Sequence, residues 1–187
     1  MTRLSPIDPS TATGRAKDLL DGIQASIGVT PNLLRTMAQS PAVLEAYLTL
    51  SKTLSTGTFS AALQEQLALA IAGENHCNYC ASAHALKGHM EGVDENELAA
   101  NLQGNSSDPQ TQAILTLAQA IVTKRGFISD QDLAEARLAG VSDAEVSEVV
   151  AGVALNTFSN YFNHVAQTEI DFPFVSAGEA EAAAAAA

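Results

Sequence analysis

The two cysteines of this chain lie three residues apart, in the sequence Cys77-Asn78-Tyr79-Cys80, and His84 follows the second one by four residues. Two thiols at this spacing can close a disulfide or hold a metal ion. On a helix, all three side chains fall on one face, and the imidazole lies one turn beyond the second thiol. The motif therefore predicts a redox site or a metal site.

Glu65 is a carboxylate on the mostly apolar segment that precedes the cysteines. If that segment packs against the cysteine helix, Glu65 would orient His84 or relay its proton, as the third group of an activated nucleophile does. Cys80 lies in the first turn of its helix, where backbone N–H groups and the helix dipole stabilise a thiolate. These residues predict a nucleophilic thiolate with a second, resolving thiol, whose substrates would be peroxides and disulfides.

Other interpretations of the same residues stay open at this point. A zinc ion would take Cys77, Cys80 and His84 as ligands, with His76, Glu65 or His164 as a fourth. No second CxxC motif and no closely spaced histidine pair accompany them. The two thiols would otherwise only pack in the core of a structural or partner-binding helical protein, since cysteine is a common buried residue.

The elements that must position these residues are helices. Apolar residues recur every three or four positions in every long segment, and no strand-like alternation occurs, so the fold class is all-α. Ser60 is a predicted N-cap for the Glu65 helix, and Thr30-Pro31 predicts a helix that starts at Pro31 and runs to about Gln39. Ser142 and Glu145 form a predicted capping box that opens a long last helix.

Composition shifts divide the chain into three parts. The composition predicts an extended arm over residues 1–14, a single helical domain over residues 15–175, and a low-complexity tail over residues 176–187. A loop at 104–109 is the best candidate for a boundary between two similar helical halves. Ala68 to Ala72 are apolar on more than one face of their helix, which predicts that subunit contacts cover them.

The charge balance limits the partners. Of 187 residues, 9 are Lys or Arg and 21 are Asp or Glu, which gives a net charge of -12. Such a surface repels nucleic-acid phosphates and anionic membranes, so neither is expected as a partner. The sequence has no apolar run of membrane-spanning length and no hydrophobic signal core, so we expect a cytoplasmic protein, in which a permanent disulfide would be unusual.

Taken together, Glu65, the Cys77–Cys80 motif and His84 resemble the signature of the alkyl hydroperoxidase D (AhpD)-like proteins of the carboxymuconolactone decarboxylase superfamily. The stretch from Tyr161 to Ala166 resembles the branch called peroxidase-related proteins. The resemblance implies a multi-helix AhpD-like domain that forms a homo-oligomer, either a dimer or a trimer-based assembly.

The resemblance also implies a role for each residue. Cys80 would be the peroxidatic thiol, Cys77 the resolving thiol, His84 the base and Glu65 the far end of a proton relay. The implied function is a thiol peroxidase that needs no cofactor or metal, reduces alkyl hydroperoxides and is recycled by an external dithiol of the thioredoxin-like or lipoyl type. A general disulfide oxidoreductase is the alternative.

The sequence departs from the best-known branch at one position, because Tyr79 stands where that branch has a histidine. This puts any role of a second imidazole in doubt. We expect Tyr79, His76 and His164 as further residues that line the site. The pair Asn163-His164, between aromatic and apolar neighbours, is expected to make a hydrogen-bonding contact.

Overall fold

The computed structural model describes residues 2–178, and every regular element in this range is an α-helix, which confirms the all-α prediction. The helices are α1 (Gly14–Ile27), α2 (Asn32–Met37), α3 (Pro41–Leu54), α4 (Ala61–Glu74), α5 (Asn78–Met90), α6 (Glu95–Leu102), α7 (Pro109–Thr123), α8 (Asp130–Leu138) and α9 (Asp143–Ala166). No helix within this range is both long and apolar enough to span a membrane.

Helix α4 lies at the centre, in contact with α5, α6, α7 and α9. All six residues from Leu67 to Ala72 are buried, as expected for a helix that is apolar on all sides and surrounded by others. The prediction that subunit contacts cover Ala68 to Ala72 was therefore wrong. The neighbouring helices of the same chain cover them.

Two groups of buried apolar residues share α4. The first group lies among α1, α2, α3, α5 and α6 and includes Leu69 and Ala72 of α4. The second lies among α7, α8 and α9 and includes Ala70 and Ile71. The loop at 104–109 joins α6 to α7, between the two groups. The internal similarity of the two halves stays a prediction.

Local hydrogen bonds explain most of the helix starts. Ser60 Oγ accepts a hydrogen bond from the N–H of Leu63 at 3.2 Å, and α4 begins at the next residue, Ala61. Ser142 and Glu145 form the predicted capping box of α9. Both bonds join residues three apart, so the sequence alone was enough to predict them.

The start of α2 differs from the prediction because its cap comes from a distant segment. The helix begins at Asn32, and Pro31 is the N-cap. The Asn32 N–H donates to Asp171 Oδ2 at 2.7 Å, while the Thr30 hydroxyl donates to Gln24 Oε1 at 3.0 Å instead of capping the helix. The predicted start of α2 at Pro31 was thus wrong by one residue.

The segment after α9, residues 167–178, crosses α2 and α5. The N–H of Val175 donates to Ser82 Oγ at 2.9 Å, and the N–H of Ala177 donates to Asn78 Oδ1 at 2.8 Å. These contacts fix the segment beside the first turn of α5. Of the predicted low-complexity tail, residues 179–187 lie outside the described part of the chain.

Candidate active site

The two cysteines lie at the start of α5, directly after the turn that follows α4. Cys77 is the N-cap of α5, and its Sγ accepts a hydrogen bond from the N–H of Cys80 at 3.4 Å. The preceding residue, His76, has a left-handed φ of 53°, which reverses the chain between the helices. Both cysteines are free thiols and are buried. Cys80 thus occupies the first turn of α5, as the sequence predicted.

The surroundings of Cys80 favour its thiolate. Burial by itself raises the pKa of a thiol, but the hydrogen bond from Cys77, the charge of His84 and the amides of Asn163 and Asn160 outweigh it and lower the pKa of Cys80. The hydrogen bond to Cys80, together with burial, raises the pKa of Cys77. Of the two thiols, Cys80 is therefore the one that ionises first.

Two asparagines of α9 complete this environment. Asn163 Nδ2 donates to Cys80 Sγ at 3.2 Å. Asn160 is fully buried, and its Oδ1 accepts a hydrogen bond from Asn75 Nδ2 at 2.9 Å. Within residues 2–178, the Oδ1 of Asn163 has no hydrogen-bond partner, and the Nδ2 of Asn160 has none other than the Cys80 sulfur. Buried polar atoms without partners are uncommon, and here they lie beside the thiol.

Sequence reasoning expected a hydrogen-bonding contact for Asn163 but did not connect it or Asn160 with Cys80. A signal was present, because polar residues recur at helical spacing in the second half of α9, and the structure buries all of them: Asn156, Ser159, Asn160 and Asn163. The spacing indicates a polar stripe on α9. It does not tell which helix the stripe faces.

Glu65 and His84 are in contact. Glu65 Oε2 lies 2.5 Å from His84 Nδ1, and the two side chains are 18% and 13% exposed. Burial alone raises the pKa of Glu65, but the neighbouring His84 outweighs it, with a smaller effect from Lys87, and lowers that pKa. Since Nδ1 is engaged, Nε2 is the ring nitrogen that can exchange a proton with the site. The proton relay itself stays a prediction.

A small residue allows α4, α5 and α6 to approach closely near this pair. A Cβ placed on Gly88 would lie 2.5 Å from Leu98 Cδ2 of α6 and 3.6 Å from the Cβ of Glu65. A larger residue at this position would require the Leu98 side chain or α5 itself to move. Gly88 therefore helps to hold α5, and His84 with it, against its neighbours.

Tyr79, the point of departure from the best-known branch, has a structural contact that accounts for its hydroxyl. Its Oη accepts a hydrogen bond from the N–H of Leu33 at 3.0 Å and donates to Asp171 Oδ1 at 2.8 Å. Its ring packs edge-on against Phe172, with centroids 5.5 Å apart. Tyr79 thereby joins α2, α5 and the segment after α9, and its ring lines the cavity beside Cys80.

An apolar cavity of about 230 Å³ lies beside Cys80 and His84. Its walls come from α1, α2, α3, α5, α9 and the segment after α9, and include Ile27, Leu33, Leu34, Leu48 and Phe172. A smaller cavity of about 80 Å³ lies around His84 and Glu65. His84 therefore lines both cavities, and Glu65 lines the smaller one.

The two histidines outside α5 lie elsewhere. His76 and His164 line a separate cavity of about 310 Å³ together with Cys77 and Asn163. They are thus near the cysteine turn but not in the cavity of Cys80. No group of three His, Cys, Asp or Glu side chains in the described range converges as a metal site. The alternative zinc set, with Cys77, Cys80 and His84 as ligands, does not converge among the described residues.

Comparisons with known proteins concern the family of one segment and the fold of the chain. The sequence profile of the Carboxymuconolactone decarboxylase family matches residues 41–104, the segment that contains Glu65, both cysteines and His84. No curated protein matches the sequence.

Solved structures match nearly the whole chain at low identity. A peroxidase-related protein from Ralstonia eutropha JMP134, with an alkylhydroperoxidase AhpD core, has a TM-score of 0.79 and 19% identity over 91% of this chain and 92% of its own. A peroxidase-related protein from Silicibacter sp. TM1040 has a TM-score of 0.77 and 18% identity over 90% and 94%.

A third structure is a cysteine-to-alanine variant of the debrominase Bmp8 in complex with 2,3,4-tribromopyrrole. It has a TM-score of 0.77 and 22% identity over 91% of this chain and 92% of its own. At such identities the likeness concerns the fold alone. The segment that carries both cysteines, residues 41–104, is thus similar to the Carboxymuconolactone decarboxylase family, and the all-helical fold of the described residues is AhpD-like.

Proposed function

We propose that the protein is a thiol peroxidase that reduces alkyl hydroperoxides through Cys80 and Cys77 and is recycled by an external dithiol. The observation that carries the proposal is the environment of Cys80. A buried thiol receives hydrogen bonds from Cys77 and Asn163, lies beside the Glu65–His84 pair, and has a lowered pKa. The thiolate is the reactive form of cysteine, and a second thiol three residues away can resolve its oxidised product.

The first step oxidises Cys80. His84 accepts the proton of the Cys80 thiol, and Glu65 stabilises the charged imidazole. The thiolate then attacks the terminal oxygen of the hydroperoxide, the O–O bond breaks, and Cys80 becomes a sulfenic acid. The alkoxide takes a proton from His84 and leaves as an alcohol.

The second step forms the disulfide. Cys77 Sγ attacks the sulfenic sulfur of Cys80, and the departing hydroxide takes the Cys77 proton and leaves as water. An external dithiol then reduces the Cys77–Cys80 disulfide by thiol–disulfide exchange and becomes a disulfide itself. Asn163 and Asn160 would hold the anionic sulfur whenever Cys80 is a thiolate.

Intact mass and thiol titration after one equivalent of cumene hydroperoxide test this sequence of steps. The natural protein should lose two hydrogen atoms and both thiols. Cys77→Ser should gain one oxygen atom as a trapped sulfenic acid, and Cys80→Ser should stay unchanged. Equal reactivity of the two variants would overturn the assignment of Cys80 as the attacking thiol.

Reductive dehalogenation of an aromatic ring is a second candidate, favoured by the apolar cavity beside Cys80. Tyr79 and Phe172 give that cavity aromatic walls, and Bmp8, which has a similar fold, is a debrominase. The Cys80 thiolate would attack bromine to give a sulfenyl bromide, and the ring carbanion would take a proton from His84. Cys77 would then displace bromide and close the disulfide.

Bromide release distinguishes the two candidates. With 2,3,4-tribromopyrrole as the probe, dehalogenation predicts one bromide ion for each disulfide formed. A protein that oxidises with cumene hydroperoxide but releases no bromide would be a peroxidase only. The reverse result would favour the second candidate.

A homo-oligomer is a separate proposal, supported by an exposed apolar stripe on α9. Its members recur at helical spacing and are between 38% and 63% exposed: Val150, Phe158, Tyr161 and Val165. Burial of this stripe against a second copy would remove apolar surface from water. Light scattering of the purified protein tests it, and Phe158→Glu should yield monomers.

A further inference from the structure

The two cysteines line two different cavities. Cys80 lines the apolar cavity of about 230 Å³, together with His84, Leu48 and Phe172. Cys77 lines the polar cavity of about 310 Å³, together with His164 of α9. Among the described residues around these two spaces, Tyr79 is the only one that they share. The motif therefore has a separate space for each sulfur.

We propose that the external dithiol binds in the polar cavity and attacks Cys77 Sγ, whereas the hydroperoxide reaches Cys80 through the apolar cavity. This inference rests on the proposed function, because it concerns the reductive half of the same cycle. The ligand class of the polar cavity is a small dithiol, or the dithiol end of a larger carrier.

The chemistry of disulfide exchange favours attack at Cys77. One sulfur of the dithiol forms a bond to Cys77 Sγ, the Cys77–Cys80 bond breaks, and the electron pair leaves on Cys80. A thiol of lower pKa leaves faster, and Cys80 has the lower pKa of the pair. The second sulfur of the dithiol then displaces Cys77, which takes up a proton, and the dithiol leaves as a cyclic disulfide.

The polar cavity also contains atoms that lack partners. Asn163 is 4% exposed, and its Oδ1 accepts no hydrogen bond from any described residue, although its Nδ2 donates to Cys80. The buried Oγ1 of Thr168, another residue of this cavity, is likewise without a partner within residues 2–178. A thiol S–H or a polar group beside it would supply the missing hydrogen bonds.

A base for the incoming thiol lies in the same cavity. Burial lowers the pKa of His164, so its imidazole is mostly neutral near pH 7 and can accept a proton. The neighbouring His76 is held by its own contact, with Nδ1 3.3 Å from the carbonyl oxygen of Ala177. The apolar cavity, by contrast, has mainly aliphatic and aromatic walls, which suit the organic part of an alkyl hydroperoxide.

Separate measurements of the two half-reactions test the proposal. The reduced protein is oxidised with cumene hydroperoxide, and a disulfide prepared independently with diamide is reduced with dithiothreitol. His164→Trp narrows the polar cavity and should lower the reduction rate constant at least tenfold relative to the oxidation rate constant. Ile27→Trp, at the 57% exposed rim of the apolar cavity, should change the same ratio in the opposite direction.

The two variants serve as controls for each other, and folding is checked by circular dichroism. If both change the two rate constants to the same extent, one cavity serves both reactants and the proposal is wrong. Because diamide forms the disulfide without a peroxide, failure of the peroxidase proposal would not affect the reductive measurement. If the protein does not react with hydroperoxide but His164→Trp still slows its reduction, the peroxidase proposal is wrong and the dithiol site stands.

A mixed disulfide identifies the attacked sulfur directly. The oxidised protein is treated briefly with 2-mercaptoethanol, quenched in acid, alkylated with iodoacetamide and mapped by fragment-ion mass spectrometry. We expect the mercaptoethanol adduct on Cys77 and the alkyl group on Cys80. The opposite distribution would overturn the proposal.

Discussion

Two regions of this molecule are buried equally well but contain different side chains, and α9 runs through both. In its first half, Val149 is 0% exposed and packs among apolar residues of α7 such as Leu115. In its second half, Asn160 and Asn163 are 0% and 4% exposed, yet they face the cysteine turn. We call these the apolar region and the cysteine region.

The difference shows that the first half of α9 mainly stabilises the fold, whereas its second half surrounds the Cys80 thiol. Apolar burial stabilises the fold in proportion to the area removed from water. A buried amide without a full set of partners costs free energy, so the amides of the cysteine region are a local weakness. Their benefit is a lowered pKa of Cys80.

The largest effect is expected when a polar side chain enters the apolar region. Val149→Asn replaces a fully buried valine with an amide that has no partner there. The free energy of unfolding should fall by about 3 kcal/mol, from lost apolar burial and an unpaired amide. Urea titration measures it. Val29→Asn, at a 58% exposed valine outside the α9 stripe, is the matched control and should change little.

The reverse exchange in the cysteine region should affect chemistry more than stability. Asn163→Leu removes the hydrogen bond to Cys80 Sγ, so the pKa of Cys80 should rise. Alkylation by iodoacetamide at pH 5, below the Cys80 pKa of about 6, should slow about tenfold when that pKa rises by one unit, which corresponds to about 1.4 kcal/mol. Asn156→Leu is the control, since its amide donates to Gly152 O of its own helix. Equal slowing in both variants would remove the special role of Asn163.

Loss of the Tyr79 hydroxyl should weaken the cysteine region moderately. Tyr79→Phe leaves the Leu33 N–H without its acceptor and Asp171 without a donor. The free energy of unfolding should fall by about 1 kcal/mol. Hydrogen exchange should also quicken at Leu33. Tyr161→Phe, at a 56% exposed tyrosine, provides the comparison, and an equal loss there would contradict the role of the Tyr79 hydroxyl in joining α2 to α5.

The smallest effect concerns the charge of Glu65. The pKa of Glu65 is lowered in the folded protein. Its carboxylate therefore adds to the free energy of unfolding at pH values above 4.5, the pKa of the unfolded state, and this addition is lost as the pH falls through the lower pKa of the folded state. Glu65→Gln should cost about 0.5 kcal/mol near pH 6, because the pair is only partly shielded from water. Denaturant titrations at falling pH should show this difference disappear. A difference that grows towards low pH would contradict the sign.

How much the sequence predicted depends on the distance along the chain. The cap of α4 and the capping box of α9 join residues three apart, and Cys77 caps α5 in the same way. Such bonds follow from local geometry, so their residues are visible as patterns. The start of α2 was mispredicted because its acceptor, Asp171, lies 139 residues from Asn32.

The sequence by itself determined the all-α class, the helix that carries Cys80 in its first turn, and the shared face of Cys77, Cys80 and His84. It also singled out Glu65, but whether that carboxylate meets His84 depended on the packing of α4 against α5. Only the tertiary structure decided which chain covers Ala68 to Ala72.

The tertiary structure also decided what surrounds each thiol. Asn163 donates a hydrogen bond to Cys80 although 83 residues separate them, and the two cysteines line separate cavities, both of which include residues of α5 and α9. Periodicity tells which face of a helix is buried but not which helix it meets. The polarity around a buried thiol, and therefore its pKa, depends on which helices pack around it.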